Sequence, residues 1–294
     1  MNGIIVIDKP GGWTSHDVVA KLRNVLKQKR VGHGGTLDPM ATGVLPVFVG
    51  RATRAAEFCE NADKEYLAEL QLGITTDTQD ITGRVLSESD VSVTIEDLKS
   101  VLPRFIGTQK QIPPMYSAIK KDGQKLYDLA RKGIDIPREP REIFISKLEI
   151  TQRSKHSGHT YTLHVTCSKG TYIRTLCHDI GSTLGCGGTL SALRRIRVGV
   201  FSINKAHTLD EVISVAMSVP LSSISLPVDS IFSKYPAITL ADSELPAIKN
   251  GAPCKTKDDT ENGTYRVYAA DGEFLLLGEI INNKVKTIKS FFEV

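Results

Sequence analysis

The sequence predicts an α+β fold: a mixed, largely antiparallel sheet with flanking helices, followed by a small β-rich domain. Residues 64–73 alternate apolar and polar side chains, as a half-buried strand does. Residues 142–173 resemble two strands of a hairpin, and 265–294 resemble strands joined by Asp-Gly and Asn-Asn turns. With 294 residues, 40% hydrophobic and 24% charged, the chain has room for one large domain, or for one domain with a small appendage.

The first elements are a strand and a helix. "GIIVIDKP" contains four β-forming residues and ends at a proline, which predicts a short buried strand. Thr14 or Ser15 is suited to cap the helix that follows. Its apolar residues share one face at helical spacing, and they are Val18, Val19, Leu22, Val25 and Leu26.

The middle of the chain alternates strands and helices. "GVLPVFVG" is predicted to be extended, "RATRAAEFCENA" helical and "KEYLAELQLG" a strand. Residues 109–142 are polar, basic and rich in proline, which predicts a helical insertion or arm. The hairpin around loop 152–159 then leads into the helix "RTLCHDIGSTLG", which places Arg174 at a strand-to-helix junction.

The C-terminal part is predicted to form a separate unit. The Ser- and Pro-rich residues 218–230 are typical of a connecting stretch. Strand patterns dominate afterwards. We therefore expect one domain over 1–235 and a second over 236–294.

The charge distribution favours an anionic partner. The net charge is +4, and basic residues cluster in 21–30, in 109–142 and at Arg194, Arg195 and Arg197. One such cluster is as often a solvated surface as a binding site, but three together favour a polyanion such as nucleic acid.

Other classes of protein are disfavoured. The five cysteines are scattered without CxxC spacing, which predicts reduced thiols in a cytoplasmic protein. No run of 18 apolar residues or basic leader is present, so we expect no membrane association. His33 has no second His or Cys at ligand spacing, so no metal site is predicted.

The glycine-rich stretch "VGHGGTLDPMATGVLPVFVG", residues 31–50, surrounds Asp38. It lacks the Gly-Lys-Ser/Thr ending of a P-loop and the helix-opening pattern of a dinucleotide fingerprint. Asp38-Pro39 could be an ordinary turn. The four glycines nearest Asp38 instead suggest space for a large planar group to approach the carboxylate.

"GHGGTLDPMATGVL" closely resembles the catalytic motif of the TruB family of tRNA pseudouridine-55 synthases. Further segments resemble the same family in the same order and cover most of residues 1–200. They are "IDKPGGWTSHDVV", "DKEYLAELQLGITTDTQD", "QIPPMYSAIKKDGQKLYDLARKG", "CSKGTYIRTLCHDIG" and "LSALRRIRVG". "LADSELPAIKNGAPC" is similar, over a shorter match, to the PUA RNA-binding domain.

The resemblance implies a pseudouridine synthase fold and the isomerisation of uridine to pseudouridine at position 55, in the T-loop of tRNA. Such a reaction detaches uracil from ribose and rejoins it through C5, and it needs no cofactor. The intact segment 109–142 is similar to the stand-alone branch of these enzymes rather than the RNA-guided branch. The T-arm of tRNA is then the partner, and no obligatory protein partner is expected.

The resemblance also implies roles for individual residues. Asp38 is the catalytic carboxylate, attacking either the sugar or the base, and Arg174 is its cationic partner. Tyr66 stacks on the target uracil, and its hydroxyl helps to remove the C5 proton.

Four more residues are implied as substrate-binding. His33 fills the gap left when the target base flips out of its stack. Tyr172 and Leu193 line the pocket, although core packing is an ordinary alternative for both, and Lys9 supports the pocket. The rival function is a non-catalytic tRNA-binding or tRNA-folding protein, which the joint presence of Asp38, Tyr66 and Arg174 disfavours.

Overall fold

The computed structural model describes residues 2–153, 159–218, 223–256 and 260–292. The strands are β1 (Gly3–Lys9), β2 (Val31–His33), β3 (Thr42–Val49), β4 (Lys64–Leu72), β5 (Ile74–Thr76), β6 (Val85–Glu88), β7 (Gly107–Gln111), β8 (Lys120–Lys121), β9 (Gln124–Lys125), β10 (Arg141–Arg153), β11 (Thr160–Cys167), β12 (Gly188–Val198), β13 (Phe201–Ser202), β14 (His207–Thr208), β15 (Ala237–Thr239), β16 (Cys254–Lys255), β17 (Gly263–Tyr268), β18 (Phe274–Ile281) and β19 (Lys284–Ser290). The helices are α1 (Ser15–Leu26), α2 (Ala56–Glu60), α3 (Ile95–Val101), α4 (Leu126–Ala130), α5 (Ile173–Thr183), α6 (Leu209–Ser218) and α7 (Leu245–Lys249).

The main architectural feature is a large mixed sheet in the order β14-β1-β3-β12-β4-β11-β10-β7, with β2 also paired to β3 and β13 to β12. Among the described strands of this sheet, β1–β14 and β3–β12 are parallel and the other pairs are antiparallel. The predicted fold class is therefore confirmed.

The pairing of β3 with β12 positions the site. These strands are joined through only two residue pairs, Arg194 with Thr42 and Arg195 with Gly43. The chain that connects the antiparallel strands β2 and β3, residues 34–41, leads directly into this pairing at Thr42. Asp38 lies within that connection.

The first helix shows how the local sequence fixes an element. Thr14 caps α1: its hydroxyl accepts from the Asp17 N–H at 3.0 Å, and the Asp17 carboxylate accepts from the Thr14 N–H at 2.9 Å. This reciprocal capping box satisfies two N–H groups that the helix leaves unpaired. Val18, Val19 and Leu22 are buried, as their spacing predicts.

The central strand β4 alternates as its sequence predicts. Tyr66, Ala68, Leu70 and Leu72 are buried in one core, together with the apolar face of α5. The predicted hairpin is also present as β10 and β11, although residues 154–158 of its loop lie outside the described residues.

The predicted helical arm is mostly not helical. Residues 109–111 belong to β7 and 141–142 begin β10, so the arm spans 112–140. It contains the two-residue strands β8 and β9 and the short helix α4, because its prolines and glycines interrupt longer helices. Its root is buried at Pro113, Pro114, Met115 and Ser117, whereas most of residues 118–140 are at least partly exposed.

The C-terminal residues form a separate five-stranded sheet in the order β15-β17-β18-β19-β16. Asn282 and Asn283 both adopt positive φ at the β18–β19 turn, as the sequence favours. Phe232 packs against Phe58 of the first domain and against Phe274 and Phe291 of the second, with ring centroids 5.0–6.0 Å apart. Phe232, just before the expected boundary near residue 235, therefore links α2 to the C-terminal sheet through aromatic contacts.

None of the helices in the described part of the chain is both long and apolar enough to cross a membrane.

Candidate active site

Asp38 is held by hydrogen bonds to both of its chain neighbours. The Ser15 hydroxyl accepts from the Leu37 N–H at 2.8 Å, while Pro39 accepts through its carbonyl from the Gly12 N–H at 2.9 Å and from Lys9 Nζ at 3.2 Å. These bonds tie the Asp38 loop to the segment between β1 and α1. The backbone of Asp38 is therefore fixed while its side chain remains 38% exposed.

Arg174 is the cation that faces Asp38. Its Nε lies 2.9 Å from Asp38 Oδ2. Nη1 donates to the Thr78 carbonyl at 3.1 Å and Nη2 to the Tyr116 carbonyl at 2.8 Å. The side chain is 5% exposed, so the guanidinium fork is held in one orientation toward Asp38.

Asp80 supplies a second carboxylate to this arginine. Its Oδ2 lies 3.8 Å from Arg174 Nε, and its side chain is 7% exposed. Its Oδ1 accepts from the Thr78 hydroxyl at 2.8 Å and from the Thr82 N–H at 3.0 Å. Because burial of a charge is costly unless it is paired, Arg174 and Asp80 stabilise each other.

Tyr66 lies beside Arg195 in the neighbouring strand, with the two residues in register. Burial raises the pKa of Tyr66 to about 12, although the Arg195 guanidinium acts in the opposite direction. The phenol is therefore protonated at neutral pH. Arg195 is buried and donates to the carbonyls of Gly35, Thr36 and Val44 at 2.8–3.2 Å, so it also fixes the loop that leads to Asp38.

Two of the four glycines around Asp38 serve a purpose different from the predicted one. A Cβ on Gly43, whose φ is +103°, would lie 2.1 Å from the Arg195 carbonyl oxygen. A Cβ on Gly34 would lie 2.6 Å from Cys59 Sγ. These two glycines permit close packing inside the protein, so the inference that they make room for a substrate was wrong.

The three arginines at the end of β12 differ from the predicted basic cluster in their partners and their burial. Arg194 pairs with Asp8 at 2.7 Å and Arg197 pairs with Glu65 at 2.7 Å, while Arg195 is buried. All three have partners within the chain, and only Arg194 and Arg197 remain partly exposed, so the expectation of an exposed basic cluster was wrong for Arg195. Residues 21–30 and the arm keep exposed basic side chains.

Lys9 is hydrogen-bonded to the Asp38 loop and to the segment between β1 and α1. It is fully buried, and its Nζ donates to the carbonyls of Pro10, Trp13 and Pro39 at 2.6–3.2 Å. Burial lowers the pKa of Lys9 to about 8, against the attraction of nearby Asp38.

The other expected pocket residues lie around this centre. His33 ends β2, and burial lowers its pKa, with Arg195 and His16 acting in the same direction. Its Nδ1 is buried without a hydrogen-bond partner among the described residues. Tyr172 precedes α5, and Leu193 is buried in the same core cluster as Tyr66.

The structure adds contributors that the sequence reasoning missed. Asp80, Ser15 and Arg195 act on Asp38 or Arg174 through contacts between residues far apart in the chain. Asp80 lies within "DKEYLAELQLGITTDTQD", but nothing in that segment indicates that its carboxylate faces Arg174. Within the described residues, no group of three His, Cys, Asp or Glu side chains is arranged to hold a metal ion.

Solved structures share this fold. A chain of a Cbf5-Nop10-Gar1 complex superposes with a TM-score of 0.75 and 26% identity, covering 99% of this chain and 85% of that one. A chain of an H/ACA RNP bound to a substrate RNA containing 2′-deoxyuridine gives 0.74 and 25%, with the same coverage.

Curated relatives are similar over nearly the whole chain. "tRNA pseudouridine synthase B" of Syntrophomonas wolfei is 43% identical over 98% of this chain and 96% of its own length. The Clostridium kluyveri protein of that name is 42% identical over 99% of this chain and 100% of its own length.

Family models match two consecutive parts of the chain. The N-terminal domain of TruB family pseudouridylate synthases matches residues 23–173, and the C-terminal domain of tRNA pseudouridylate synthase B matches 174–233. Together with the fold and the relatives, these matches show that the chain belongs to the TruB family of pseudouridine synthases, which are isomerases.

Proposed function

We propose that this protein is a stand-alone cytoplasmic enzyme that converts uridine 55 in the T-loop of tRNA to pseudouridine. The observation that supports this most strongly is the 2.9 Å contact between Arg174 Nε and Asp38 Oδ2. The contact places a buried guanidinium against a carboxylate that remains partly exposed, which is the arrangement a carboxylate nucleophile requires.

Asp38 is the catalytic carboxylate in this proposal. Arg174 engages Oδ2, whereas no described residue donates a hydrogen bond to Oδ1. Oδ1 is therefore the oxygen free to react with the sugar or the base. Carboxylates perform the comparable task of stabilising a sugar cation in glycosidases.

Tyr66 and the surrounding side chains hold the flipped uracil. Tyr66 stacks on the base, with Tyr172 and Leu193 lining the pocket. Its phenol relays the C5 proton after the new C–C bond forms: the oxygen accepts that proton as it gives up its own, and Arg195 is the cation positioned to stabilise negative charge that develops on the oxygen. The nitrogen that was bonded to ribose gains a proton, so the reaction is an isomerisation without a cofactor.

The RNA is held outside the pocket. A neutral His33 fills the gap left in the base stack, which its lowered pKa favours. Exposed basic residues of 21–30 and of the arm contact phosphates of the T-arm. Residues 236–294, as a PUA-like domain, contact the tRNA body.

The test is to incubate the protein with an unmodified tRNA transcript and to map pseudouridine by mass spectrometry. We expect one product, at the T-loop uridine. Pseudouridine at another position would overturn the proposed site. Tight tRNA binding without any pseudouridine would indicate the non-catalytic RNA-binding protein instead.

A further inference from the structure

Gln111 connects the sheet edge to the helix that carries Arg174. It is the last residue of β7, and its side chain is buried. Its Nε2 donates to the Tyr172 carbonyl at 3.0 Å, and its Oε1 accepts from the Tyr172 N–H at 2.8 Å. One amide therefore fixes both backbone polar groups of a residue 61 positions away.

This contact supplies one half of a capping box at the start of α5. Tyr172 is the N-cap residue of α5, and its side chain makes no capping hydrogen bond to the helix. At the third helical position, Thr175 turns away and donates through its hydroxyl to Gln79 Oε1 at 2.7 Å. In a capping box the side chain at that position accepts from the N-cap N–H. Here Gln111 makes the equivalent bond from a distant strand.

The same chain segment also reaches the guanidinium. Five residues after Gln111, the Tyr116 carbonyl accepts from Arg174 Nη2 at 2.8 Å. Arg174 itself follows Tyr172 by two residues. The segment 111–116 thus fixes both the start of α5 and the head of the arginine that it projects toward Asp38.

We propose that Gln111 is a positioning residue for catalysis: by fixing Tyr172 it sets where Arg174 presents its Nε to Asp38. This inference rests on the proposed function, because its measurement is the rate of pseudouridine formation. A purely structural role would lower only the stability of the fold. A positioning role lowers the rate of the chemical step in protein that remains folded.

The first experiment replaces Gln111 by methionine, which keeps the length of the side chain and removes both hydrogen bonds. We expect the single-turnover rate on tRNA to fall about 10- to 100-fold, because small misplacements of catalytic groups are that costly. The dissociation constant for tRNA should change by less than about twofold, since most of the affinity comes from contacts to the sugar–phosphate backbone of the RNA.

Gln109→Met is the matched control. Gln109 lies two residues earlier in β7, on the same face of the strand, and its Nε2 donates only to the local Ile106 carbonyl at 3.2 Å. We expect its rate to equal that of the wild type. Equal rates for the Gln111 and Gln109 variants would overturn the proposal.

A double-mutant cycle with Arg174→Lys tests whether Gln111 acts through the arginine. If it does, Gln111→Met lowers the rate far less in the Arg174→Lys background than in the wild type, because contacting residues are non-additive. An equal fold-loss in both backgrounds would show that Gln111 affects the reaction by another route.

Gln111→Glu gives a second measurement, should the methionine variant fail to fold. A protonated glutamic acid can both donate to the Tyr172 carbonyl and accept from its N–H, as glutamine does, whereas the carboxylate can only accept. The ratio of variant rate to wild-type rate should therefore rise as pH falls through the glutamate titration. A ratio that is constant across pH would contradict the proposal.

The rate of the wild type and the rates of the Gln111 variants test the proposed function and the positioning role separately. If wild-type protein produces no pseudouridine in tRNA, the proposed function is wrong. If the wild type is active and the Gln111 variants match it, only the positioning role is wrong.

Discussion

Arg174 contacts Asp38 through Nε at 2.9 Å and remains 3.8 Å from a second carboxylate, Asp80, through the same nitrogen. The two carboxylates differ in exposure, 38% for the Asp38 side chain and 7% for that of Asp80. In the proposed reaction this difference gives them separate tasks: Asp38 is accessible from solvent, whereas Asp80 is buried and lies where it can orient the arginine.

Asp80→Asn should therefore impair catalysis without greatly weakening tRNA binding. The amide keeps the shape but removes the charge that faces Arg174, so we expect the single-turnover rate to fall about 10- to 100-fold. Asp90→Asn, at an exposed carboxylate beyond β6, is the control. An Asp80→Asn enzyme as fast as this control would show that Asp80 does not orient Arg174.

Lys9 should give the protein a distinctive stability profile at alkaline pH. Its pKa is about 8 in the folded protein and about 10.4 in an unfolded chain. Between these values the unfolded chain binds more protons, so the contribution of Lys9 makes the free energy of unfolding rise with pH. The stability of wild type relative to Lys9→Met should increase from pH 8 to about 10.4 and stay constant below pH 8. Parallel denaturation profiles would contradict this.

Phe232 should be important for stability because it packs between Phe58 of α2 and Phe274 of β18. Phe232→Ala is expected to lower the free energy of unfolding by about 3–5 kcal/mol, measured by chemical denaturation. Phe144→Ala, at a ring that is 49% exposed, should change it by no more than about 0.5 kcal/mol. Similar effects of the two alanine variants would indicate that the aromatic contact contributes little.

A truncation near residue 235 removes Phe274 and Phe291, and should destabilise the remaining domain for the same reason.

The arm should be cleaved readily in free protein and protected by RNA. Residues 112–140 carry a charge of +2, six basic minus four acidic. Lys120, Lys121 and Arg131 are exposed, so trypsin should cut there quickly. A T-arm hairpin should suppress cleavage at low salt, and added salt should restore it by weakening phosphate contacts. Cleavage that is unchanged by saturating RNA would show that the arm is not an RNA contact.

The sequence predicted most of the elements because their signals are local. The alternation in β4, the cap at Thr14 and the hairpin of β10 and β11 all depend on residues close together in the chain. The pairing of Asp38 with Arg174 was also anticipated, from the family resemblance and from the chemistry that a carboxylate requires.

The predictions that were wrong, and the residues that were missed, depend on contacts across the fold. The arginines of β12 form a basic run in the sequence, yet Asp8 and Glu65 pair with two of them from other strands. Gly43 is required by the Arg195 backbone, which is 152 residues away in the sequence. Charge runs and glycine counts do not reveal such partners.

The central claim is that Asp38 is the catalytic carboxylate, and the most direct test is pseudouridine formation by Asp38→Asn. The amide preserves the size of the side chain but cannot act as the anionic nucleophile. We expect no turnover on a tRNA transcript, with tRNA affinity within about tenfold of the wild type. Measurable multiple turnover by Asp38→Asn would contradict the account.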